Sequence, residues 1–446
     1  MCKSNGVSTI ILSIMLFGCS SEAEVMGFNK LKQIRSFPEF HEIENDFSHS
    51  VGNLDNDHEV LDLLSFQPFD DGVNAVMVTG GRGQHNSVYI YDKKNNELVD
   101  IAKRLGLEGE LDVAKYGIAI GDLTGNNFDD IIIAQSNGVY IYKRNSYEGM
   151  FIPEKLDFEL PNNAVALDVE LADVDGNGLL DVYISTFLDK KKLKTASFKD
   201  PVQRVNNVFL KNMGDGHFVD ESNTSGIGIH QNTFMSKFVD LNNNGYPDLI
   251  PALNTSQIKI YENNKNGTFT EHTLTEGYGF WMGISVSDLN GSGYKDILFT
   301  NVGTSIPKFL LRGDLNKKDG IDRNYHLFRH KGDFQFYDVS QEYGLNFKNF
   351  GWGAQFIDFD NTGLYQDLYI TENYTHFPFN LHKYFPKDGS LFLEDDSGRY
   401  KAYQSELNVK NPYFGYRVLA VDITGNGLND LVIANLKGPL RVFGNK

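Results

Sequence analysis

Six times this chain sets an aspartate-rich loop between two apolar runs, and that repetition constrains its fold more than any other feature. The copies are GDLTGNNFDDIIIA from Gly121, LADVDGNGLLDVYIS from Leu171, VDLNNNGYPDLIPA from Val239, SDLNGSGYKDILFT from Ser287, IDFDNTGLYQDLYIT from Ile357 and VDITGNGLNDLVIA from Val421. A decayed seventh, FDDGVNAVMVTGG, lies near Asp70. Before each loop stands a strand-like run such as YGIAIGD or YRVLAVD, and after it another such as DIIIA or DLVIA. A third run (GVYIYKR, NNVFLKN, SQIKIYE, YHLFRH) and a fourth (HFVDES, GTFTEH, FQFYDV) follow. Four strands per unit, recurring at roughly 50 to 70 residues, predict an all-β, seven-bladed β-propeller of four-stranded blades. One such sheet cannot bury both its faces, whereas stacking around an axis covers them. The 33 Phe and 22 Tyr against only 12 Pro suit many short strands joined by turns. The last copy supplies three strands, so the segment around Leu31 to Ile43 is expected to add its fourth and close one propeller spanning residues 31–446.

The spacing inside the loop is that of a cation cage. Numbered from the first aspartate, side-chain oxygens fall at positions 1, 3, 5 and 9, and position 7 offers a backbone carbonyl. The expected ligands are Asp122, Thr124, Asn126, Phe128 and Asp130; Asp173, Asp175, Asn177, Leu179 and Asp181; Asp240, Asn242, Asn244, Tyr246 and Asp248. The later copies contribute Asp288, Asn290, Ser292, Tyr294 and Asp296; Asp358, Asp360, Thr362, Leu364 and Asp367; Asp422, Thr424, Asn426, Leu428 and Asp430. Position 6 is Gly178, Gly245, Gly293, Gly363, Gly427 or Asn127, residue types that accept the positive φ needed to wrap oxygens around a point. Oxygen-only ligands on a flexible loop select Ca²⁺, with up to six structural sites. An EF-hand is excluded, because the closing acid comes at position 9 rather than 12 and the flanks are strands. The Asp173 loop, with three acids, is ranked first. The extra residue Gln366 before Asp367 puts the sixth-blade site in doubt.

These loops resemble the FG-GAP, or VCBS, repeats of integrin α-chain propellers and of many bacterial surface proteins, and NFGWGAQFIDFDN is similar to copies in UnbV-type proteins. The resemblance implies calcium in the hairpin between first and second strands. Position 5 departs from that family, which usually has Asp there; here it is Asn126, Asn177, Asn244, Ser292, Thr362 and Asn426, so weaker sites are expected.

The start of the chain sets the expected location. An apolar run from Val7 to Phe17 after Lys3 reads as an export signal, and Leu16-Phe17-Gly18-Cys19 resembles a bacterial lipobox. Residues 1–18 are then a signal peptide, Cys19 the lipidated residue and 19–30 a tether. An outer-membrane lipoprotein is expected, with membrane contact through the anchor only. A net charge of −18 argues against a nucleic-acid partner.

The propeller's other face is where a partner is expected. Blades with long repeats carry their extra residues between second and third strands, at about 188–205, 303–323 and 374–389, opposite the aspartate loops. Lys190, Lys191, Lys192 and Lys194 make the first insertion basic, and Trp281, Trp352 and Tyr413 stand on links beside it. A glycan or an envelope protein is the expected ligand, and the basic insertion suits an anionic one. No catalytic residue is assigned. The alternatives are a polysaccharide lyase or hydrolase, with Tyr325, His326, Arg329, His330, Tyr374, His376 and His382 on offer, or a scaffold or assembly factor of an outer-membrane complex.

Overall fold

The computed structural model describes residues 37–50, 57–58, 60–192, 203–304, 319–345, 349–359, 366–372, 388–395 and 397–446. The expected Cys19 anchor, the signal and tether, Lys194, Asp360, Thr362, Leu364, Tyr374, His376 and His382 lie outside them.

Seven four-stranded antiparallel sheets follow one another along the chain. Their first strands are Leu63–Phe66, Lys115–Gly121, Ala164–Ala172, Thr233–Val239, Ile284–Ser287, Gly351–Ile357 and Gly415–Val421. Each first strand packs on the first strand of the next sheet, and the seventh packs back on the first, so these strands ring a common axis. The result is a seven-bladed β-propeller. In blade 7 the outermost strand is Phe40–Ile43, which pairs antiparallel with Arg441–Asn445 in the register Phe40↔Asn445 to Ile43↔Val442.

Second strands such as Ile131–Ala134 and Leu431–Ala434 are buried on both faces, because each sheet lies between two others. The first strand of a blade is joined to the preceding blade by side chain to backbone bonds rather than by a ladder. Thr371 Oγ1 donates to Tyr416 O (3.1 Å), Thr300 Oγ1 to Trp352 O (3.0 Å), and Ser285 Oγ accepts Phe356 N–H (2.7 Å).

Charge reaches across the axis. Arg417 on blade 7 lies 3.0 Å from Asp62, which precedes blade 1, and 3.4 Å from Asp168 on blade 3. Blades 7 and 3 are not neighbours in the ring, so this contact bridges its centre. Ile118 N–H of blade 2 caps Asp62 (3.2 Å) and Ser236 N–H of blade 4 caps Asp168 (3.0 Å).

Candidate functional site

The six aspartate loops occupy one register. The residue before the first aspartate pairs with the closing aspartate in every copy: Gly121↔Asp130, Ala172↔Asp181, Val239↔Asp248, Ser287↔Asp296, Ile357↔Asp367 and Val421↔Asp430. Asp367 therefore stands where its counterparts do, despite the extra residue before it. Its Oδ2 accepts Phe359 N–H at 3.3 Å, as Asp248 Oδ2 accepts Leu241 N–H at 2.9 Å.

Within the loop the first aspartate organises the turn. Its Oδ2 accepts the position 6 N–H from Asn127, Gly178, Gly245, Gly293 and Gly427 at 2.7–2.8 Å. Position 6 has φ of +67° at Asn127 and +86° to +88° at the four glycines. Position 4 is left-handed too (Gly125, Gly176, Asn243, Gly291, Gly425), a requirement the sequence reading passed over. The position 5 side chain caps position 7, as where Asn177 Oδ1 accepts Leu179 N–H at 2.7 Å.

The closing aspartate does more than line a cage. Asp130, Asp181, Asp248, Asp296 and Asp430 are buried. Each accepts at Oδ1 a backbone N–H from the end of the third strand: that of Arg144, Asn212, Asn263, His330 and Asn445, at 2.8–3.0 Å. Three of those third-strand residues then reach the preceding blade. Asn212 Nδ2 donates to Leu123 O (3.0 Å), Asn263 Nδ2 to Val174 O (2.8 Å) and Asn445 Nδ2 to Phe359 O (2.8 Å). Gln366 performs this duty in blade 6, donating to Leu289 O at 2.9 Å. The recurring Asn after FLK, IYE and VFG was the signal for this bond, and it went unread. Asn263→Ala removes two donated bonds and the cap on Lys265 N–H, and should cost about 1–3 kcal/mol in urea unfolding. A midpoint equal to wild type would deny the staple any weight.

The arrangement can hold a hard cation. Oxygens of Asp173, Asp175 and Asp181 lie within 4.8 Å of one another, the acidic group of three among the described residues. Burial pushes Asp181 up to about 6, and the charges of Asp175 and Asp173 add to the rise. Burial likewise raises Asp248 to about 7 and Asp296 to about 6. At position 3 of the next loop, Asn242 Oδ1 is a buried oxygen with no hydrogen-bond partner among the described residues. Orphaned oxygens beside raised carboxyls are what a missing positive charge leaves behind. In blade 3, Lys211 Nζ sits 2.7 Å from Asp175 Oδ2 and supplies part of that charge. The first blade's turn keeps no such set: Asp71 Oδ1 caps only Val73 N–H, at 3.0 Å.

On the opposite face the candidate contacts fare differently. Lys190, Lys191 and Lys192 form one exposed or half-exposed turn of 3₁₀ helix, with Lys190 Nζ 3.3 Å from Asp57 O. Trp281 is corrected: it is wholly buried, its indole N–H donating to Ser256 O at 2.8 Å, so no ligand reaches its ring. Trp352 is half-buried against Phe234, Phe350 and Tyr416, with centroids 5.1–5.9 Å away, which makes it part of an aromatic cluster joining blades 4, 6 and 7. Tyr413 is exposed, with the Arg441 guanidinium 5.7 Å from its ring centre.

His326 is locked rather than free. Asp322 and Asp338 take its two ring nitrogens at 2.7 and 2.6 Å. Burial lowers its pKa, but the two carboxylates more than reverse that and raise it to about 9, which suits an imidazolium and not a general base at neutral pH. The folded value lies above the ordinary one, so this stabilisation is complete below about pH 6.5 and is lost as pH rises through 9. Wild type should lose roughly 1–3 kcal/mol relative to His326→Gln between pH 6.5 and 9.5, after discounting for the part-exposed Asp338. Parallel stability curves would contradict the pairing.

Comparison with known proteins agrees with the repeats seen here. The FG-GAP-like repeat family matches residues 122–184 and 240–299, which are the loops and flanking strands of blades 2 to 5. Curated protein sequences yield no match. Among solved structures, BBS1N in complex with ARL6DN, soaked with mercury, is similar at a TM-score of 0.51 and 10% identity, over 91% of this chain and 96% of that one. Its lead-soaked form gives 0.51 and 11%, over 89% and 97%. An Agrocybe aegerita lectin recognising non-reducing terminal N-acetylglucosamine aligns at 0.46 and 16%, over 85% and 86%. At such identities the likeness is one of fold. The chain is a seven-bladed β-propeller carrying FG-GAP-like repeats.

Proposed function

We propose that this is a calcium-stabilised propeller, tethered to the cell envelope by a lipid on Cys19, that binds a glycan or protein ligand through the face opposite the aspartate loops. One observation carries the calcium part: the oxygens of Asp173, Asp175 and Asp181 converge, while the position 3 oxygen of Asn242 in the next loop has no partner among the described residues. Calcium at these positions is structural, joining first and second strands at a rim already stapled blade to blade. The opposite face is then free for recognition, and it carries Lys190, Lys191 and Lys192. Long connections on a rigid scaffold are where binding residues collect.

The test is a glycan array and an envelope-protein pull-down in millimolar calcium, using wild type and the Lys190, Lys191, Lys192 and Lys194 to Ser variant. Binding by wild type that weakens in the variant, with unfolding unchanged, supports the reading. Release of unsaturated sugars would replace it with the lyase alternative.

A further inference from the structure

On the same face, a cavity of about 320 Å³ opens between blades 3 and 4. Its lining includes Arg204, Gln231, Thr255, Lys259, Tyr261 and Tyr278. We infer that this cavity is a subsite for one carboxylated sugar residue of the uronic acid class, with Arg204 taking the carboxylate. The inference rests on the ligand-face reading above and names a place and a chemistry within it.

Three independent features converge there. Thr255 has φ of +55°, a conformation a β-branched residue adopts only under constraint. It sits at a register shift between Asn254 and Ser256, where the second strand of blade 4 pairs with Gly279–Phe280, and such bulges re-aim a side chain. Its hydroxyl is buried without a hydrogen-bond partner, although the residue is only 2% exposed. Gln231 holds the bulge from below, donating to the carbonyls of Asn254 and Thr255. Strain of this kind, with a hydroxyl left unsatisfied beside a cavity, suits a donor or acceptor awaiting a ligand group.

Arg204 supplies the charge. Its Nε is buried and has no acceptor among the described residues. The second cation, Lys259, is already matched by Glu271 at 2.7 Å, and Tyr261 Oη bonds the same carboxylate at 3.2 Å. Among the described residues the lining therefore has one positive charge without a carboxylate partner, in the planar fork that fits a carboxylate. Hydroxyls and amides fill the remainder, and the volume lies at the small end of ligand pockets, enough for a single ring.

The experiment uses the purified full chain with D-galacturonate, its uncharged methyl ester and D-galactose as probes, read by saturation-transfer NMR and calorimetry. The acid should bind at least tenfold more tightly than the ester or the neutral sugar. Arg204→Met should erase that preference, and Arg204→Lys should restore part of it. Thr255→Gly should weaken binding while raising the melting temperature, because strain is relieved as the hydroxyl is lost. Galacturonate binding unchanged in Arg204→Met, or no preference for the acid, overturns the subsite. If the array then still shows a ligand lost in the four-lysine variant, the wider reading of the face survives the subsite.

Discussion

Arg417→Met should destabilise the propeller by about 3–5 kcal/mol, the largest single-residue effect expected here. The guanidinium is buried and lies between two buried or nearly buried carboxylates, Asp62 at 3.0 Å and Asp168 at 3.4 Å. Burial drives the Asp168 carboxyl upward, the Asp62 and Glu170 charges add to the rise, and the Arg417 charge is the main opposition to it. Remove it and both acids remain near the axis with Glu170, which burial pushes up to about 7, and Lys237, whose charge acts on Glu170, is left to oppose them. The cost then depends on pH in a fixed direction. Acids whose folded pKa is raised stabilise the fold below their ordinary pKa and lose that contribution as pH rises through the raised value. The gap between variant and wild type should thus widen from pH 5 to pH 8. A gap that is constant, or below 1 kcal/mol, would mean that the axis holds no ion cluster of consequence.

Asp181→Ala and Asp175→Asn should separate the two duties of the third blade's loop. Asp181 accepts Val174 N–H at 3.0 Å and Asn212 N–H at 2.8 Å, both buried. Its loss strands two donors whatever the metal, so about 2–4 kcal/mol should vanish in chelator as well as in calcium. Asp175 is partly exposed, with Lys211 Nζ at 2.7 Å and Asn177 N–H at 3.2 Å from its carboxylate. Asp175→Asn should cost less than about 1 kcal/mol in chelator, yet forfeit much of the calcium-dependent gain of that loop. Equal losses for Asp175→Asn in both conditions would reduce the acidic cluster to an ordinary turn. The closing acid thus serves the fold with or without the ion, a duty that its place among the expected ligands does not show.

What was legible in the sequence follows from what repeats locally. Strand, loop and strand recur with Asp at positions 1 and 9 and a permissive residue at 6, and the structure gives those residues one register and one turn. The sites of long-range contact were not legible in the same way. Asn212 meets Leu123 and Asn263 meets Val174 across 89 residues each, and only the repeat of Asn itself hinted at a shared role. Arg417 and Asp168 meet across 249 residues. Their clue was a charge inside an apolar first strand, YRVLAVD and ALDVELAD, which a solvated channel would explain as readily as an ion pair. Trp281 was misplaced because it lies in a link, where no alternation separates an inward ring from an outward one. The Thr255 bulge left no mark at all, since a threonine in the strand DLIPALNTS fits an ordinary β pattern.

The most direct test of the calcium account is thermal unfolding of the wild-type chain in chelator and then across calcium from micromolar to about 10 mM. Sites with dissociation constants near 10⁻⁴–10⁻³ M should each add about 1.4–2.7 kcal/mol at the upper end, so the melting temperature should climb by several degrees through the millimolar range. Magnesium at equal concentration should raise it less, because the loops offer a flexible cage rather than an octahedral one. A melting temperature flat across the whole series would contradict the account and leave the six loops as hydrogen-bonded turns.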